Sequence, residues 1–379
     1  MLHAVIMAGG SGTRFWPESR ISRPKQLLAL EVTQSTASAK RTLLQQTVDR
    51  IPAGIPPERI WVVTGAAMHD GCRQQLPELA DSQFLIEPCG RNTAPCIGVA
   101  AQRIRQADAD GVMLVLPADH SITPPAAFQA AVQKAGQVIA ASPHSLLLFG
   151  CQPERPETGF GYIRPGTALP FSADDQAASS EQSDDIACHV SRATEFREKP
   201  DSDLAAELVE QGWLWNCGIF CWRADRILAC IAEYQPELSR GLDELETTAR
   251  EKGWNPAMEQ HFPALPSISI DHGVLEQADE LLVLAAPFQW DDMGSWEAVF
   301  RRMEQDASGN TIDARHLGIA TRNCGIRSSD HNHLIATFGL EDLLIVHTPD
   351  ATLIARRNDP DSLRQLVARL RESGLEEWL

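Results

Sequence analysis

The sequence predicts an α/β fold, a mostly parallel sheet wrapped by helices, followed by a small β-rich appendage that ends in a helix. Three observations carry that expectation. Through the first half, an apolar β-branched run, a turn and a stretch of helical spacing recur in that order, the pattern of strand, crossover helix and parallel strand. The first of these runs passes directly into a glycine cluster, Ala8-Gly9-Gly10-Ser11-Gly12-Thr13. Past residue 304, short apolar runs alternate with turn residues, and helical spacing returns only near the C-terminus. The 379 residues are 43% hydrophobic and 22% charged, ordinary globular usage that can enclose a sizeable core.

In chain order, the strand-like runs of the first half are His3 to Met7, Ile60 to Thr64, Phe84 to Ile86, Val112 to Leu116 and Leu146 to Phe149. Between them, Thr42 to Ile51, Ala66 to Leu79, Ala94 to Gln106 and Pro125 to Ala141 have the spacing of crossover helices. Sheets of this kind bind ligands outside the carboxyl ends of their strands, so the loops after each strand are the places to look for chemistry. The stretch from Ser172 to Asp185 carries five acids and no Lys or Arg, and reads as a solvated surface loop. Strand-like runs return at Ala193 to Arg197, Trp215 to Trp222 and Leu281 to Ala285, with Ser295 to Met303 helical. A first domain over residues 1–304 and an appendage over 305–379 are expected. The appendage holds strand-like runs at His333 to Thr337, Leu343 to His347 and Thr352 to Ala355, then a helix from Ser362 to Leu375.

Thirty-three Lys+Arg against 51 Asp+Glu leave a formal charge of -18, which opposes general attraction to nucleic acid or anionic membranes. An anionic substrate must therefore meet a local basic cluster. The N-terminus MLHAVIMAGGSGTR has no basic leader and no small-residue cleavage site, and no run approaches the roughly 18 to 20 apolar residues that cross a bilayer. The nine cysteines are odd in number, scattered and without CxxC pairing, which predicts reduced thiols in a cytoplasmic protein.

Glycines placed directly after a strand let backbone N–H groups surround phosphate oxygens, so the turn reads as a polyphosphate cradle. It lacks the GK[ST] ending of a P-loop, and Phe15 stands where GxGxxG would have its third glycine. Arg14 offers a planar fork to phosphate, and Lys25, in Arg23-Pro24-Lys25-Gln26, adds a compact ammonium.

The stretch AGGSGTRFWPESRISRPKQ resembles the signature of the sugar-phosphate nucleotidyltransferases, and within them of the mannose-1-phosphate guanylyltransferases. Seven further stretches look like motifs of that family, in its order: EPCGRNTAP (87–95), LPADHSI (116–122), ETGFGYI (157–163), FREKP (196–200), WNCGIF (215–220), SIDHGVLE (269–276) and WDDMGSW (290–296). GLEDLLIVHTPDATLIARR extends the likeness to about residue 357. The resemblance implies a Rossmann-like domain with a mixed, mostly parallel sheet and a β-helix-like appendage. It implies an enzyme that makes GDP-mannose and diphosphate from GTP and mannose 1-phosphate. It also implies Mg2+ as cofactor, held by Asp119 and Asp292; Asp291 is the alternative ligand, and the DxG spacing favours Asp292.

Roles for the other residues follow from the same likeness. Arg14 and Lys25 neutralise the triphosphate and act with Asp119 and Asp292 as the catalytic set, with Arg23 a candidate third contact. Ala8, Gly9, Gly10, Ser11, Gly12 and Thr13 cradle the nucleotide, and Glu87, Asn92 and Thr93 form the base pocket. Guanine presents N1–H beside an exocyclic amine, a donor pair suited to the Glu87 carboxylate or to backbone carbonyls near it. Gly161, Glu198, Lys199 and Asn216 are expected to hold the sugar phosphate. Trp215, Trp222, Trp290 and Trp296 are read as packing, and Asp271 and His272 as a helix start with Asp271 as cap, neither of them catalytic. His120 is not needed as a base, because a phosphate nucleophile is already deprotonated. The competing readings keep the chemistry with another sugar or base, or make the chain a non-catalytic regulator that binds a nucleotide sugar. The isomerase domain of longer relatives is not expected in the residues after the first domain, and family analogy suggests a homodimer through the appendage.

Overall fold

The computed structural model describes residues 1–10, 13–30, 41–170, 188–357 and 359–379, so the acidic stretch at 172–185 and Ser11 and Gly12 lie outside the described residues. The first strand, β1 (Leu2–Ala8), is buried at almost every position, as a near-continuous apolar run covered on both faces must be. It pairs in parallel with β2 (Ile60–Gly65) on one side and β4 (Val112–Pro117) on the other, and β3 (Phe84–Glu87) adds to β2. The Cα register sets Ala8 against Thr64, Met7 against Pro117 and Gly65 against Glu87, so the loops after these four strands leave one edge of the sheet together.

The remaining strands make the sheet mixed. They are β6 (Leu146–Cys151), β7 (Gly161–Ala168), β8 (Val190–Glu198), β9 (Leu214–Arg223) and β10 (Leu281–Ala285), and the order across the sheet is β3-β2-β1-β4-β9-β6-β10-β8-β7. β9 runs antiparallel to both β4 and β6, while β10 is parallel to β6. Alternate residues of the strands feed two cores. Ala4, Ile6 and Leu114 pack with Phe128, Ala131 and Val132 of the helix Pro125–Ala141, whereas Val5, Met113 and Val115 pack with Ile97, Ala101 and Ile104 of the helix Thr93–Ala107.

Some elements differ from their sequence expectation for identifiable reasons. The stretch Ala66 to Leu79 holds a 3-10 turn, Ala66–Met68, and a short helix, His69–Gln75, that stops before Pro77. β7 went unread because Pro165 and Gly166 interrupt its pattern, and the β7–β8 register shifts at Arg164/Pro165. Two three-residue strands, β5 (Ser121–Thr123) and β11 (Gln289–Asp291), form an antiparallel ribbon too short to leave a period.

The C-terminal part stacks β12 (Thr311–Asp313), β14 (Gly325–Ser328) and β16 (Leu343–His347) in parallel, with β17 (Thr352–Arg356) closing antiparallel. A second short stack pairs β13 (Arg315–Ile319) with β15 (Leu334–Phe338), also parallel. The final helix, Pro360–Glu372, starts two residues before its sequence expectation, where the Asp359 side chain caps the Ser362 N–H. Val346, Leu353, Leu363, Val367 and Leu379 from this part enclose Phe15, Trp16, Trp296 and Phe300 of the larger one in a shared core.

Candidate active site

The strand edge shared by β1, β2, β3 and β4 collects the first group of predicted residues. After Ala8 the chain turns through Gly9 to Gly10, whose φ of +102° is a conformation that a Cβ would strain. Gln26, itself buried, donates to the carbonyls of Ala8 (3.2 Å) and Gly9 (3.4 Å) and so holds the start of the turn. Thr13 opens a 3-10 turn, Thr13–Phe15, in which buried Phe15 packs edge-on against Trp296 with ring centroids 5.1 Å apart, while Arg14 is exposed. Arg23 is also exposed; its backbone exchanges hydrogen bonds with that of Arg20.

Lys25 is buried, and its ammonium joins two chain segments distant in sequence. Nζ donates to Asp119 Oδ2 at 2.8 Å and to the Asp292 carbonyl at 2.5 Å. The β5–β11 ribbon explains why those segments meet: Ser121 pairs with Asp291 and Ile122 with Trp290, which brings the loop after β4 beside the loop after β11. Asp292 Oδ1 accepts from the Gly294 N–H (3.0 Å), and a Cβ at Gly294 would lie 2.6 Å from Asp292 Oδ2, so a larger residue there would displace the carboxylate. The neighbouring Asp291 is committed elsewhere, to Arg301 (2.6 Å) and the Met293 N–H (2.8 Å).

The electrostatics separate the two carboxylates. At Asp119 burial works upward, but the Lys25 and His120 charges and the Lys25 hydrogen bond outweigh it, and its pKa sits below the usual carboxylate range. At Asp292 burial dominates, reinforced by Asp291 and Asp119 and opposed by Lys25, and its pKa is raised. Two hard oxygen donors against one ammonium form a donor set that a divalent cation fits when phosphate and water complete the shell. Among the described residues no group of three or more His, Cys, Asp or Glu is gathered for a metal. His120 accepts from the Trp290 indole N–H at Nδ1 (3.0 Å), and burial lowers its pKa to about 4, so its ring is neutral at physiological pH.

At the end of β3, Glu87 is buried beside the glycine turn: a Cβ on Gly9 would lie 3.9 Å from its Oε2. Its Oε1 has no hydrogen-bond partner, and burial pushes its pKa up to about 7. Asn92, at a φ of 65°, caps the helix that begins at Thr93 by accepting from its N–H (2.9 Å). The Thr93 hydroxyl accepts from the Ile270 N–H (2.8 Å), tying the start of this helix to the segment 269–271.

The residues expected to hold the sugar phosphate also converge. Gly161 opens β7 opposite Glu198 on β8, and a Cβ there would meet Glu198 Oε2 at 2.5 Å and Asn216 Cβ at 3.4 Å. Lys199 pairs with Glu198 (3.2 Å) from a residue at φ 48° and is largely exposed. Asn216 accepts from the Gly218 N–H (3.1 Å) and donates to Asp271 Oδ1 (2.9 Å). Asp271 is therefore not the cap that the sequence suggested; the Ser269 hydroxyl accepts the His272 N–H, and Asp271 turns its carboxylate toward Asn216. Burial, then the Glu198 charge, raises its pKa to about 6. Sequence reasoning named this residue, within SIDHGVLE, only as a cap and not for its contact with Asn216. Beneath these groups Phe160 packs edge-on against Trp215 (5.2 Å) and Trp290 (5.0 Å), and all four predicted packing tryptophans are buried.

A cavity of about 600 Å³ is lined by Arg14, Lys199 and Asp292 together with Phe160 and Trp296. It brings Arg14, Lys199 and Asp292 to one space, while Glu87, Asn92, Glu198 and Asn216 lie outside its lining.

A glycine turn after the first strand of a mixed α/β sheet, with a lysine held between two carboxylate loops, is the architecture of an enzyme that handles phosphate esters of nucleotides. The chain belongs to the nucleotidyl transferase family: the family model "Nucleotidyl transferase" matches residues 3–309, and that of the "MannoseP isomerase/GMP-like beta-helix domain" matches 314–370. A mannose-1-phosphate guanylyltransferase of Escherichia coli K12 is 33% identical over 99% of this chain and 75% of that protein. The xanthan biosynthesis protein XanB of Xanthomonas campestris pv. campestris is 34% identical over 98% of this chain and 74% of its own length. A crystal structure described as a mannose-1-phosphate geranyltransferase from Thermus thermophilus superposes with a TM-score of 0.79, at 30% identity, covering 98% of this chain and 99% of that one.

Proposed function

We propose that this chain is a mannose-1-phosphate guanylyltransferase, converting GTP and mannose 1-phosphate to GDP-mannose and diphosphate. The observation that carries the chemistry is Lys25, held between Asp119 and the Asp292 loop at the mouth of the glycine turn. Support for the substrates comes from the names of relatives similar over nearly the whole chain. In the reaction a sugar-phosphate oxygen attacks the α-phosphorus in line; the new P–O bond forms as the bond to the leaving pyrophosphate breaks. Gly9 and Gly10 bring backbone N–H groups to the triphosphate, and Arg14 and Lys25 offset its charge. Glu87 accepts from guanine N1–H and the exocyclic amine, while Glu198, Asn216 and Asp271 take the sugar hydroxyls and Lys199 its phosphate. Asp119 and Asp292 would hold Mg2+, which when bound neutralises phosphate oxygens and aligns the two substrates. No general base is required, which agrees with a neutral His120 packed on Trp290.

The same proposal places the chain in the cytoplasm, with the division near residue 304 between a catalytic and an appended domain. Its cysteines are free thiols, most of them buried, and no helix among the described residues is long and apolar enough to cross a membrane. The assembly is a homodimer, supported by an exposed apolar row on the β13–β15 stack, Leu317, Ile319, Leu334 and Phe338. Light scattering should give twice the chain mass for the wild type and the chain mass for Phe338→Asp; equal masses would rule that surface out.

The deciding assay is pyrophosphate release with Mg2+, crossing GTP, ATP, UTP and dTTP with mannose 1-phosphate and glucose 1-phosphate. Release confined to GTP with mannose 1-phosphate, lost in Asp119→Ala and reduced by about 100-fold or more in Lys25→Ala, is expected. Activity with a different pair would keep the mechanism and overturn the substrates. No release from folded protein that binds GDP-mannose would make the chain a regulator.

A further inference from the structure

The cavity that contains Arg14 and Asp292 is also walled by the C-terminal part, and its charge runs against that of the chain. The protein carries -18, yet seven basic side chains line this space against four acidic ones. A pocket of reversed sign within an acidic protein concentrates anions. Arg356, Arg357 and Arg364 reach it from the C-terminal part, and Arg14, Arg155 and Lys199 from the sheet.

Several of these cations are already occupied. Arg357 makes a bidentate pair with Glu297 (2.8 and 3.1 Å) and also bonds Asn323, leaving it little capacity for a ligand. Arg155 pairs with Glu157 (3.2 Å) and lies over the Trp215 ring, and Arg301 is held by Asp291. Arg14 and Arg356, by contrast, are exposed and hold no salt bridge to another described residue, although Asp359, which lines the same cavity, lies within electrostatic reach of Arg356. The Arg357–Glu297 clamp fixes where Arg356 sits: Glu297 lies in the first turn of the helix Trp296–Arg301, just after the Asp292-Met293-Gly294-Ser295 loop. The end of β17 is thereby fastened to the segment that carries a catalytic carboxylate. Leu353 and Leu363 pack with Trp296 in the shared core and hold the same wall in place.

We propose that this cavity is a binding site for a phosphate anion, with Arg356 of the C-terminal part and Arg14 of the glycine turn as its ligands. The proposal rests on the nucleotidyl-transfer reading only for the source of the anion, which is either the pyrophosphate end of the nucleotide or a separate phosphate-bearing effector. A guanidinium on each wall suits an anion with several oxygens, and about 600 Å³ lies within the range of small-ligand sites.

Calorimetric titration of the full chain with inorganic pyrophosphate, with and without MgCl2, tests it without requiring turnover. Saturable binding is expected, weakened about tenfold in Arg356→Gln and abolished in Arg356→Glu, both exposed substitutions that leave the core untouched. Arg369→Gln, on the final helix but outside the cavity, should bind as the wild type does. Displacement by GTP would assign the anion to the nucleotide end. Inorganic phosphate that binds through Arg356, survives saturation with GTP and alters turnover would assign it to an effector. Wild-type affinity in Arg356→Gln and Arg356→Glu, or no anion binding by the wild type, would overturn the site. If pyrophosphate binding depends on Arg356 while no substrate pair turns over, the transfer reading falls and the anion site stands.

Discussion

At Glu87 the fold buries a carboxylate whose Oε1 finds no partner, and burial alone raises its pKa to about 7. A protonated carboxyl would set a hydroxyl against the N1–H of guanine, whereas the ionised form accepts both donors of the base. Because deprotonation is what permits binding, kcat/KM for GTP should rise with pH and level off above about 7, falling roughly tenfold per pH unit below that point. Glu87→Gln should remove this limb, lower kcat/KM by about 10- to 100-fold and narrow the preference for GTP over ATP. A pH profile of the variant parallel to that of the wild type would show that another group reads the base. Lys25 and Asp119 were legible in the sequence as candidates, but their direct contact was not, since it depends on a three-residue ribbon. Asp271 shows the limit more sharply: a polar residue opening a helical turn has the same local sequence whether it caps the turn or faces a neighbouring strand.

Among the elements, those with a long unbroken period were the readable ones. β1 and β4 are continuous apolar runs, and the helix Pro125–Ala141 has the bounds that its spacing predicted, with Pro125 at its first position. β7 was not legible, because Pro165 removes a backbone donor and Gly166 a side chain, yet its first residue, Gly161, lies opposite Glu198. Gly161 leaves the space that Glu198 occupies, since a Cβ there would stand 2.5 Å from Glu198 Oε2 and 3.2 Å from the Phe196 ring. Gly161→Ala must displace the Glu198 carboxylate or part β7 from β8. We expect KM for mannose 1-phosphate to rise about tenfold or more with a much smaller change in KM for GTP, because the glycine turn and Glu87 lie on other strands. An equal rise in both constants would mean that the substitution disturbs the sheet as a whole rather than the sugar side.

For the whole molecule, the question is what makes the small C-terminal stack part of the enzyme rather than a passenger. Its contact with the catalytic sheet is apolar at the centre, where Phe15, Trp16 and Trp296 meet Val346, Leu353 and Leu379. Charge joins the two parts as well, at Arg357–Glu297, at Arg20–Asp350 and, most deeply buried, at Arg327. Arg327 on β14 is buried, donates to Glu18 at 2.6 Å, to Asp313 at 2.8 Å and to the Ala29 carbonyl at 2.9 Å, and lies over the Trp296 ring. Glu18 belongs to the segment between the glycine turn and Lys25, so Arg327 holds that segment from behind. Arg327→Met keeps most of the volume but leaves the buried Glu18 carboxylate unpaired, and removal of one partner of such a pair costs about 3–5 kcal/mol. The urea midpoint should fall accordingly. Glu18→Gln added to Arg327→Met should restore part of the loss, because the uncompensated charge is then gone. Turnover should not return with stability in the double variant, since the loop that carries Arg14 and Lys25 would still lack its anchor. Recovery of both together would mean that the pair serves only the fold, and an unchanged midpoint in Arg327→Met would mean that the apolar contact and the remaining ion pairs hold the two parts together without it.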